Sequence, residues 1–235
     1  WTGGTLGGTG TTTIAANGAL TINGNVNLDR TLTNNSTAGS VWLGPGYIYS
    51  NVSGGTLNNA GLFDIQGNST VYFATFSNSG TLLKSVGTGT TTFNAYGGSF
   101  NNSGTVNVTT GILALDNGGT DTGTFNVASG AILRFGGGTR TLNSGSNITG
   151  AGTVAVSGGT TTFAGSYGAT GAISVGGGTA NFSAPFSIPA LTLSNGTIGG
   201  AAAVGATTFD WTGGTLGGTG TTTIAANGAL TINGN

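Results

Sequence analysis

The stretch Ser103-Gly-Thr-Val-Asn-Val108 returns, at an offset of 19 along the chain, as Thr122-Gly-Thr-Phe-Asn-Val127. In both stretches a glycine turn precedes four residues that alternate between polar and apolar, which is typical of a strand with one buried face. Related stretches recur at residues 60–65, 79–84, 151–156, 170–175 and 189–194. One such unit cannot bury its apolar face alone, so the spacing predicts copies stacked on one another into a solenoid.

One residue near the start of each unit serves as a marker for counting coils. The steps between successive markers are 29, 22, 19, 24, 19, 29, 19, 19 and 30, measured along Gly10, Gly39, Gly61, Gly80, Gly104, Gly123, Gly152, Gly171, Ala190 and Gly220. The longer steps indicate loops inserted into a 19-residue coil. These steps predict an all-β fold, a parallel β-helix with about nine coils per 210 residues and an axial advance of about 43 Å.

The chain also contains a longer repeat, because residues 1–25 are identical to residues 211–235. The identity predicts a tandem array with a 210-residue period. Residues 1–210 would form one full β-solenoid repeat and residues 211–235 the start of the next, with no separate globular domain. Trp211 is expected to stack in register as the tenth coil begins.

Composition excludes several classes of function. Charged residues make up 4% of the chain and the net charge is −1, so there is no electrostatic basis for binding nucleic acid. No apolar run approaches the roughly 18 residues of a membrane span. The 50 glycines have no strict three-residue period, which excludes collagen. The chain has no cysteine and hence no disulfide framework.

The side chains that usually carry catalysis are missing. The absence of His and Cys excludes Ser-His-Asp and Cys-His catalysis and zinc sites built on those residues. All five acidic residues are aspartates, and Asp116 and Asp121 alone lie close together in sequence. We therefore expect no enzymatic activity, no catalytic or metal-binding residue and no cofactor.

Asparagines precede several of the predicted strands, at Asn34, Asn35, Asn58, Asn59, Asn78, Asn101 and Asn102. Asparagine tolerates left-handed backbone and is common in turns. In a stack, asparagines at one corner of successive coils can also bond to each other as a ladder. The sequence leaves both interpretations open.

One charge pair tests the pairing of adjacent coils. Aligning residues 111–122 with residues 130–141 at an offset of 19 places Asp121 over Arg140. Opposite charges at facing strand positions stabilise a sheet by a few tenths to about 1 kcal/mol. We expect the two side chains to be neighbours.

Aromatic residues suggest a binding surface. Trp42, Tyr47 and Tyr49 lie in a stretch with Gly44-Pro-Gly46, which is a candidate for a protruding loop. Together with Trp1, Trp211 and Tyr72 they are candidates for stacking against carbohydrate. The alternative is that these rings pack in the core or along a coil edge.

Four stretches resemble the Gly/Thr/Asn-rich β-solenoids of giant bacterial surface proteins, the filamentous-haemagglutinin-type adhesins and autotransporter passenger domains: Gly87-Thr-Gly-Thr-Thr-Thr-Phe93, Phe100-Asn-Asn-Ser-Gly-Thr-Val-Asn-Val108, Gly123-Thr-Phe-Asn-Val-Ala-Ser-Gly-Ala-Ile-Leu133 and Trp211-Thr-Gly-Gly-Thr-Leu216. The resemblance implies a right-handed solenoid that is secreted or displayed on a cell surface as an elongated, non-enzymatic stalk or fibre. It transfers no binding residues.

These observations predict a structural segment of a long extracellular or cell-surface fibre, stalk or sheath. Its expected partners are neighbouring copies of the same repeat along the chain, with lateral association of the weakly charged faces into bundles. The alternative hypothesis is an adhesin module that binds glycans or host or cell surfaces. Nucleic acid is not an expected partner.

Overall fold

A computed structural model describes residues 1–51, 54–72, 75–94 and 98–233. Every regular element in these ranges is a β-strand, and every strand pairing among them is parallel. The strands stack as about 11 turns of a β-solenoid. The prediction of an all-β parallel β-helix is confirmed.

Most strands are two to four residues long, and three of them are longer. Strands β1 to β11 span Thr5–Leu6, Thr11–Ile14, Thr21–Asn23, Val26–Leu28, Thr31–Asn34, Ser40–Leu43, Tyr47–Tyr49, Thr56–Asn59, Leu62–Ile65, Thr70–Tyr72 and Thr75–Asn78. Strands β12 to β21 span Thr81–Lys84, Thr90–Phe93, Ser99–Asn102, Thr105–Val108, Ile112–Leu115, Gly119–Asp121, Thr124–Val127, Ile132–Phe135, Thr139–Leu142 and Asn147–Gly150. Strands β22 to β31 span Thr153–Val156, Thr160–Phe163, Ser166–Tyr167, Ala172–Val175, Thr179–Phe182, Phe186–Leu193, Thr197–Gly200, Val204–Trp211, Thr215–Leu216 and Thr222–Ile232.

The strands of the described residues form three sheets along the solenoid. Sheet 1 has 12 strands, in the order β1, β4, β7, β10, β13, β16, β19, β22, β25, β27, β29 and β31. Sheet 2 has 11 strands, running from β2 through every third strand to β26 and ending with β28 and β30. Sheet 3 has eight strands, running from β3 through every third strand to β24. Each strand that does not end a sheet therefore pairs with strands one full turn before and after it.

The alternation read from the sequence sets the inner and outer faces. In most four-residue strands the second and fourth residues are buried, so they fill the interior. Parallel pairing places equivalent residues above one another, and the interior is a set of side-chain columns. In sheet 2, for example, Phe76 lies over Phe100 with parallel rings 5.2 Å apart between centroids. Phe163 and Phe182 stack in the same way at 5.1 Å.

The glycine that precedes many sheet 3 strands is required by the distance between coils. A Cβ atom on Gly80 would overlap the carbonyl oxygen of Gly61, and one on Gly104 would overlap that of Gly80. The same holds for Gly123 over Gly104. Successive turns approach here through bare backbone, which explains why glycine recurs at this position.

The structure has slightly more coils than the nine predicted for each repeat. From Thr5 in sheet 1, ten turns lead to β29, and one further side of the solenoid leads to Thr215 in sheet 2. Measured between these two identical strands, one repeat thus spans about ten and a third turns. The markers undercount because they change sheets: Gly10 precedes a sheet 2 strand, Gly123 a sheet 3 strand and Gly152 a sheet 1 strand.

The two identical copies of the 25-residue stretch consequently lie on different sides of the solenoid. Thr5–Leu6 belongs to sheet 1, whereas the identical Thr215–Leu216 belongs to sheet 2. Trp211 is stacked in register, because it pairs with Leu193 and Ile232 in sheet 1. It ends the eleventh strand of that sheet, however, and does not begin a tenth coil. Its counterpart Trp1 is placed differently: the Trp1 carbonyl accepts the N–H of Asn23, at the end of a sheet 3 strand.

Near the end of the described chain, the turn between sheets 3 and 1 is replaced by long strands. β27 begins beside β24, where Phe186 lies 5.5 Å from Tyr167 between ring centroids, and it continues into sheet 1. Pro189 lies mid-strand and takes no part in the pairing of β27 with β29, consistent with its lack of an N–H.

Candidate functional site

A continuous row of asparagines runs inside the corner between sheets 2 and 3. Asn34, Asn59, Asn78 and Asn102 end four successive sheet 2 strands and face one another in the pairing. Each Nδ2 donates to the next Oδ1, at 2.7, 2.7 and 2.8 Å. All four side chains are buried. We call these four residues the asparagine column.

The second amide hydrogen of each asparagine ties the corner together. Asn34, Asn59 and Asn78 donate at 3.0 Å to the carbonyls of Leu62, Thr81 and Thr105, respectively. Each accepting residue lies in the sheet 3 strand of the following turn. The column therefore satisfies its own buried polar groups and links two sheets, because buried polar groups are costly when left unpaired.

The other predicted asparagines do not belong to the column. Asn58 and Asn101 occupy the third position of their strands and face outward, where the Asn101 Oδ1 accepts the backbone N–H of Thr120 at 2.9 Å. Asn35 follows β5 in the turn. The period of two along a strand separates the members of each pair, since adjacent residues point to opposite faces.

The asparagine column ends at a buried ion pair. Asp121 is opposite Asn102 in the pairing, and its Oδ1 accepts the Asn102 backbone N–H at 3.1 Å. Its Oδ2 accepts a hydrogen bond from Arg140 Nη1 at 2.7 Å. The side chains of Asp121 and Arg140 are 0% and 1% exposed. Burial raises the pKa of Asp121, and the charge and hydrogen bond of Arg140, together with the Asn102 N–H, oppose that rise.

Asp121 and Arg140 are neighbours, but they do not face each other in the predicted register. The strand pairing places Arg140 over Gly119 and Leu142 over Asp121, an offset of 21 instead of 19. The pair is therefore a diagonal contact across adjacent strands, within the reach of long side chains. It also lies in the interior, where the cost of desolvating both charges opposes their attraction.

Arg140 occupies a position that aromatic residues hold in earlier turns. Below it, Gly119 has no side chain, and the guanidinium lies 5.6 Å from the ring centroid of Phe100 and 5.4 Å from that of Phe135. Its Nη atoms donate to the carbonyls of Phe100, Asn117 and Gly118 at 3.2–3.3 Å. The positions that continue the asparagine column beyond Asp121 are apolar: Leu142, Phe163 and Phe182.

Asp116, the aspartate closest in sequence to Asp121, is also paired with an arginine. Its Oδ2 accepts a hydrogen bond from Arg134 Nη2 at 2.8 Å, in a pair that is partly exposed. Because each aspartate faces its own arginine, the two do not form a carboxylate pair. Among the described residues, no cluster of three His, Cys, Asp or Glu residues could hold a metal ion.

Lys84 is a buried cation that has no acidic partner among the ion pairs of the described residues. It occupies a sheet 3 core column between Ile65 and Val108, and its Nζ donates to the carbonyls of Gly67 and Val86 at 3.2 Å. Burial lowers the pKa of Lys84. Sequence reasoning missed this residue, because its alternation position predicts burial while its charge predicts exposure.

The tryptophan of the predicted binding surface is not on the surface. Trp42 is fully buried in the sheet 3 column between Ile22 and Ile65. The prediction that Trp42 lies in a protruding loop is also wrong. Trp42 belongs to β6 and Tyr47 to β7, and both strands are paired within the solenoid. The alternative, that the ring packs in the core, holds for Trp42.

Tyr47 and Tyr49 do lie on the surface, on the outer face of sheet 1. Both are large and exposed, at 48% and 39%. Tyr49 is paired with Tyr72 of the next turn, and the Tyr72 ring centroid lies 6.3 Å from those of both other tyrosines. With residues 25–27 they line a cleft of about 530 Å³. We call Tyr47, Tyr49 and Tyr72 the tyrosine cleft.

Comparisons with known proteins identify no relative of this chain. No protein-family model matches the chain, and searches of curated proteins and of solved structures find no match either. Within the described ranges, no helix is long and apolar enough to cross a membrane. The β-solenoid is shown by the stacked sheets themselves, and the resemblance to adhesin and autotransporter solenoids extends to that architecture alone.

Substitutions of Asn58 and Asn59 compare how much an outward and an inward asparagine contribute to stability. We expect Asn59→Ala to lower the free energy of unfolding by about 1–3 kcal/mol, because Asn34 and Asn78 each lose a buried partner. Asn58→Ala, at the adjacent outward position, should change it by less than about 0.5 kcal/mol. Urea denaturation followed by circular dichroism measures both. Equal effects would contradict a stabilising role for the column.

Two Asp-Arg pairs that span the same two turns allow a comparison of burial. Arg140→Met should destabilise by about 3–5 kcal/mol, because it leaves Asp121 buried without its counter-ion. The double variant Asp121→Leu, Arg140→Met should recover most of that loss. Arg134→Met breaks the partly exposed pair and should cost no more than about 1 kcal/mol. A double variant as unstable as Arg140→Met would contradict the assignment, with urea midpoints as the measurement.

Lys84 should give stability an alkaline pH dependence. The folded state binds the Lys84 proton less tightly than the unfolded state, so stability rises with pH between the lowered folded pKa and the ordinary value of 10.5. Lys84→Met should be more stable than the wild type at pH 7, and the difference should shrink as pH rises through that window. Burial raises the pKa of Tyr167 to about 12, an opposite effect that cancels in the difference between the two proteins. A difference that does not change with pH would contradict the assignment.

Proposed function

We propose that this chain is a structural, non-enzymatic segment of a long bacterial fibre, stalk or sheath, secreted or displayed at the cell surface and built from tandem 210-residue solenoid repeats. The observation that carries the proposal is the identity of residues 1–25 and 211–235, together with the pairing of strands from the described part of each copy into the solenoid, on different sides of it. A solenoid that accepts the same sequence again one full repeat later can be extended by adding repeats, because each coil contacts only its neighbours.

The proposed mechanism is mechanical. The backbone hydrogen bonds between strands link successive turns, so they run along the axis of the solenoid. Inside, the asparagine column and the stacked phenylalanines add contacts between the same turns. Axial load would therefore be shared by three sheets and by the interior columns. The weakly charged outer faces, with a net charge of −1 for the chain, favour lateral contact between fibres.

The placement of the two identical stretches adds a geometric element to the proposal. Because one repeat spans about ten and a third turns, each repeat would be rotated by about a third of a turn relative to the one before it. A feature present once per repeat would then appear on three sides of the fibre in succession. With strands about 4.8 Å apart, each repeat would advance about 50 Å.

A second candidate function is an adhesin module that binds glycans or cell surfaces. The tyrosine cleft favours it, because exposed aromatic side chains gathered in a concave site are typical of binding sites. The two functions are compatible, since a fibre can present a binding site once in each repeat.

Proteins with one, two and three copies of residues 1–210, each ended by residues 211–235, test the fibre proposal. We expect particle length to increase by about 50 Å per added repeat at constant width, measured by small-angle X-ray scattering and electron microscopy. Cryo-electron microscopy of the three-copy protein should show successive repeats rotated by a third of a turn. Particles that widen instead of lengthening would overturn the fibre proposal, and repeats related by translation alone would overturn the rotation.

A further inference from the structure

We infer that the tyrosine cleft binds an uncharged polysaccharide. This inference rests on the second candidate function and names its site and its ligand chemistry. It begins from the exposure of Tyr47 and Tyr49, because large aromatic side chains in this chain otherwise mostly fill the interior: Phe63, Phe76 and Phe93 are no more than 2% exposed. Exposed aromatic side chains grouped in one place mark an interaction site more often than single ones do.

The three rings and residues 25–27 line an open cleft. The Tyr72 ring is tilted by 57° from Tyr47 and by 65° from Tyr49. The three rings therefore do not collapse into a parallel stack, and the space between them and residues 25–27 is about 530 Å³. That volume lies within the range of small-molecule sites, about 300–1,000 Å³. A short stretch of a chain molecule fits such a site.

The cleft lies on strands that are paired on both sides. β7, which carries Tyr47 and Tyr49, is paired on one side with β4 and on the other with β10. An extended peptide cannot add to this strand by backbone hydrogen bonds, because both of its edges are occupied. Recognition must therefore come from side chains, which argues against a peptide strand as the ligand.

The polar groups of the cleft are neutral. Among the described residues, the lining consists of Asn25, Val26, Asn27 and the three tyrosines, none of which carries a charge. The Oδ1 of Asn25 accepts the Tyr47 backbone N–H at 3.1 Å, which fixes the orientation of that amide. Asn27 Nδ2 donates to Thr5 Oγ1 at 3.3 Å, so its Oδ1, on the other branch of the amide, points away from Thr5. Amide and phenol groups provide both donors and acceptors.

Aromatic faces combined with neutral donors and acceptors match the chemistry of an uncharged sugar. A sugar ring has an apolar C–H face that packs on an aromatic ring, and hydroxyl groups around its edge that both donate and accept hydrogen bonds. An acidic polysaccharide or a nucleic acid would find no cation among the described lining residues. In a tandem array the cleft would occur once per repeat on successive sides of the fibre, so a polymeric ligand would gain from multivalency by winding around the fibre axis.

Affinity electrophoresis of the full 235-residue chain tests the inference. The probes are soluble neutral polysaccharides, hydroxyethyl cellulose and dextran, with polygalacturonate as the charged comparison. We expect retardation by at least one neutral polysaccharide, and about tenfold weaker binding or more for Tyr49→Leu, which keeps an apolar side chain but removes the ring. Tyr47→Leu should behave in the same way. Val86→Ala, which changes an exposed apolar residue outside the cleft, should bind like the wild type.

Each result decides between alternatives. If wild type and Tyr49→Leu bind neutral polysaccharide equally, the site assignment fails while the adhesin function stands. If no neutral polysaccharide retards the wild type, the ligand assignment fails. Self-association that Tyr49→Leu abolishes, seen by analytical ultracentrifugation, would identify a second copy as the occupant and overturn the inference. None of these results alters the length increments that test the fibre proposal, and urea midpoints confirm that each variant is folded.

Discussion

Parallel backbone pairing between successive turns is the constraint on which the rest of this structure depends. Each strand of one turn lies directly over the equivalent strand of the previous turn, at the spacing of a hydrogen-bonded sheet. Every interior position therefore belongs to a column, and a residue must be compatible with the residues above and below it. Glycine recurs where turns meet backbone to backbone, and phenylalanine stacks on phenylalanine.

The same constraint determines how polar groups are buried. A single buried asparagine would need partners from elsewhere, but a column of four satisfies itself and uses its remaining hydrogens on the adjacent sheet. Where the asparagine column gives way to apolar residues, the last polar side chain needs a partner that the apolar residues cannot supply. Asp121 and Arg140 lie at this point: the carboxylate continues the polar column, and the guanidinium packs between Phe100 and Phe135. A buried ion pair is a weak contributor to stability, so its clearest role here is to join two kinds of interior.

Features that depend on a few neighbouring residues could be predicted from the sequence, whereas features that depend on how turns and sheets are joined could not. The alternation in residues such as 103–108 correctly predicts strands with one buried face, since that pattern is local. In the Asn58-Asn59 pair, the alternation that starts from Leu57 places Asn59 inside and Asn58 outside. Whether the inward asparagines of successive turns meet in one column is decided by the pairing of the strands. Trp42 and Tyr47 are close in sequence and equally aromatic, but one is in the core and the other on the surface. A turn between two sheets separates them, and its geometry decides which way each side chain points.

The sequence by itself determined that this chain is a stack of short parallel strands, because the 19-residue recurrence of an alternating unit has few other solutions. It also determined the 210-residue repeat, since that is an identity of letters. The side of the solenoid that each copy occupies was decided by the tertiary structure alone. Thr5–Leu6 and Thr215–Leu216 are the same residues in different sheets. The physical reason is that a strand's position around the axis depends on the sum of all preceding turn and loop lengths, and that sum is not a property of the local sequence.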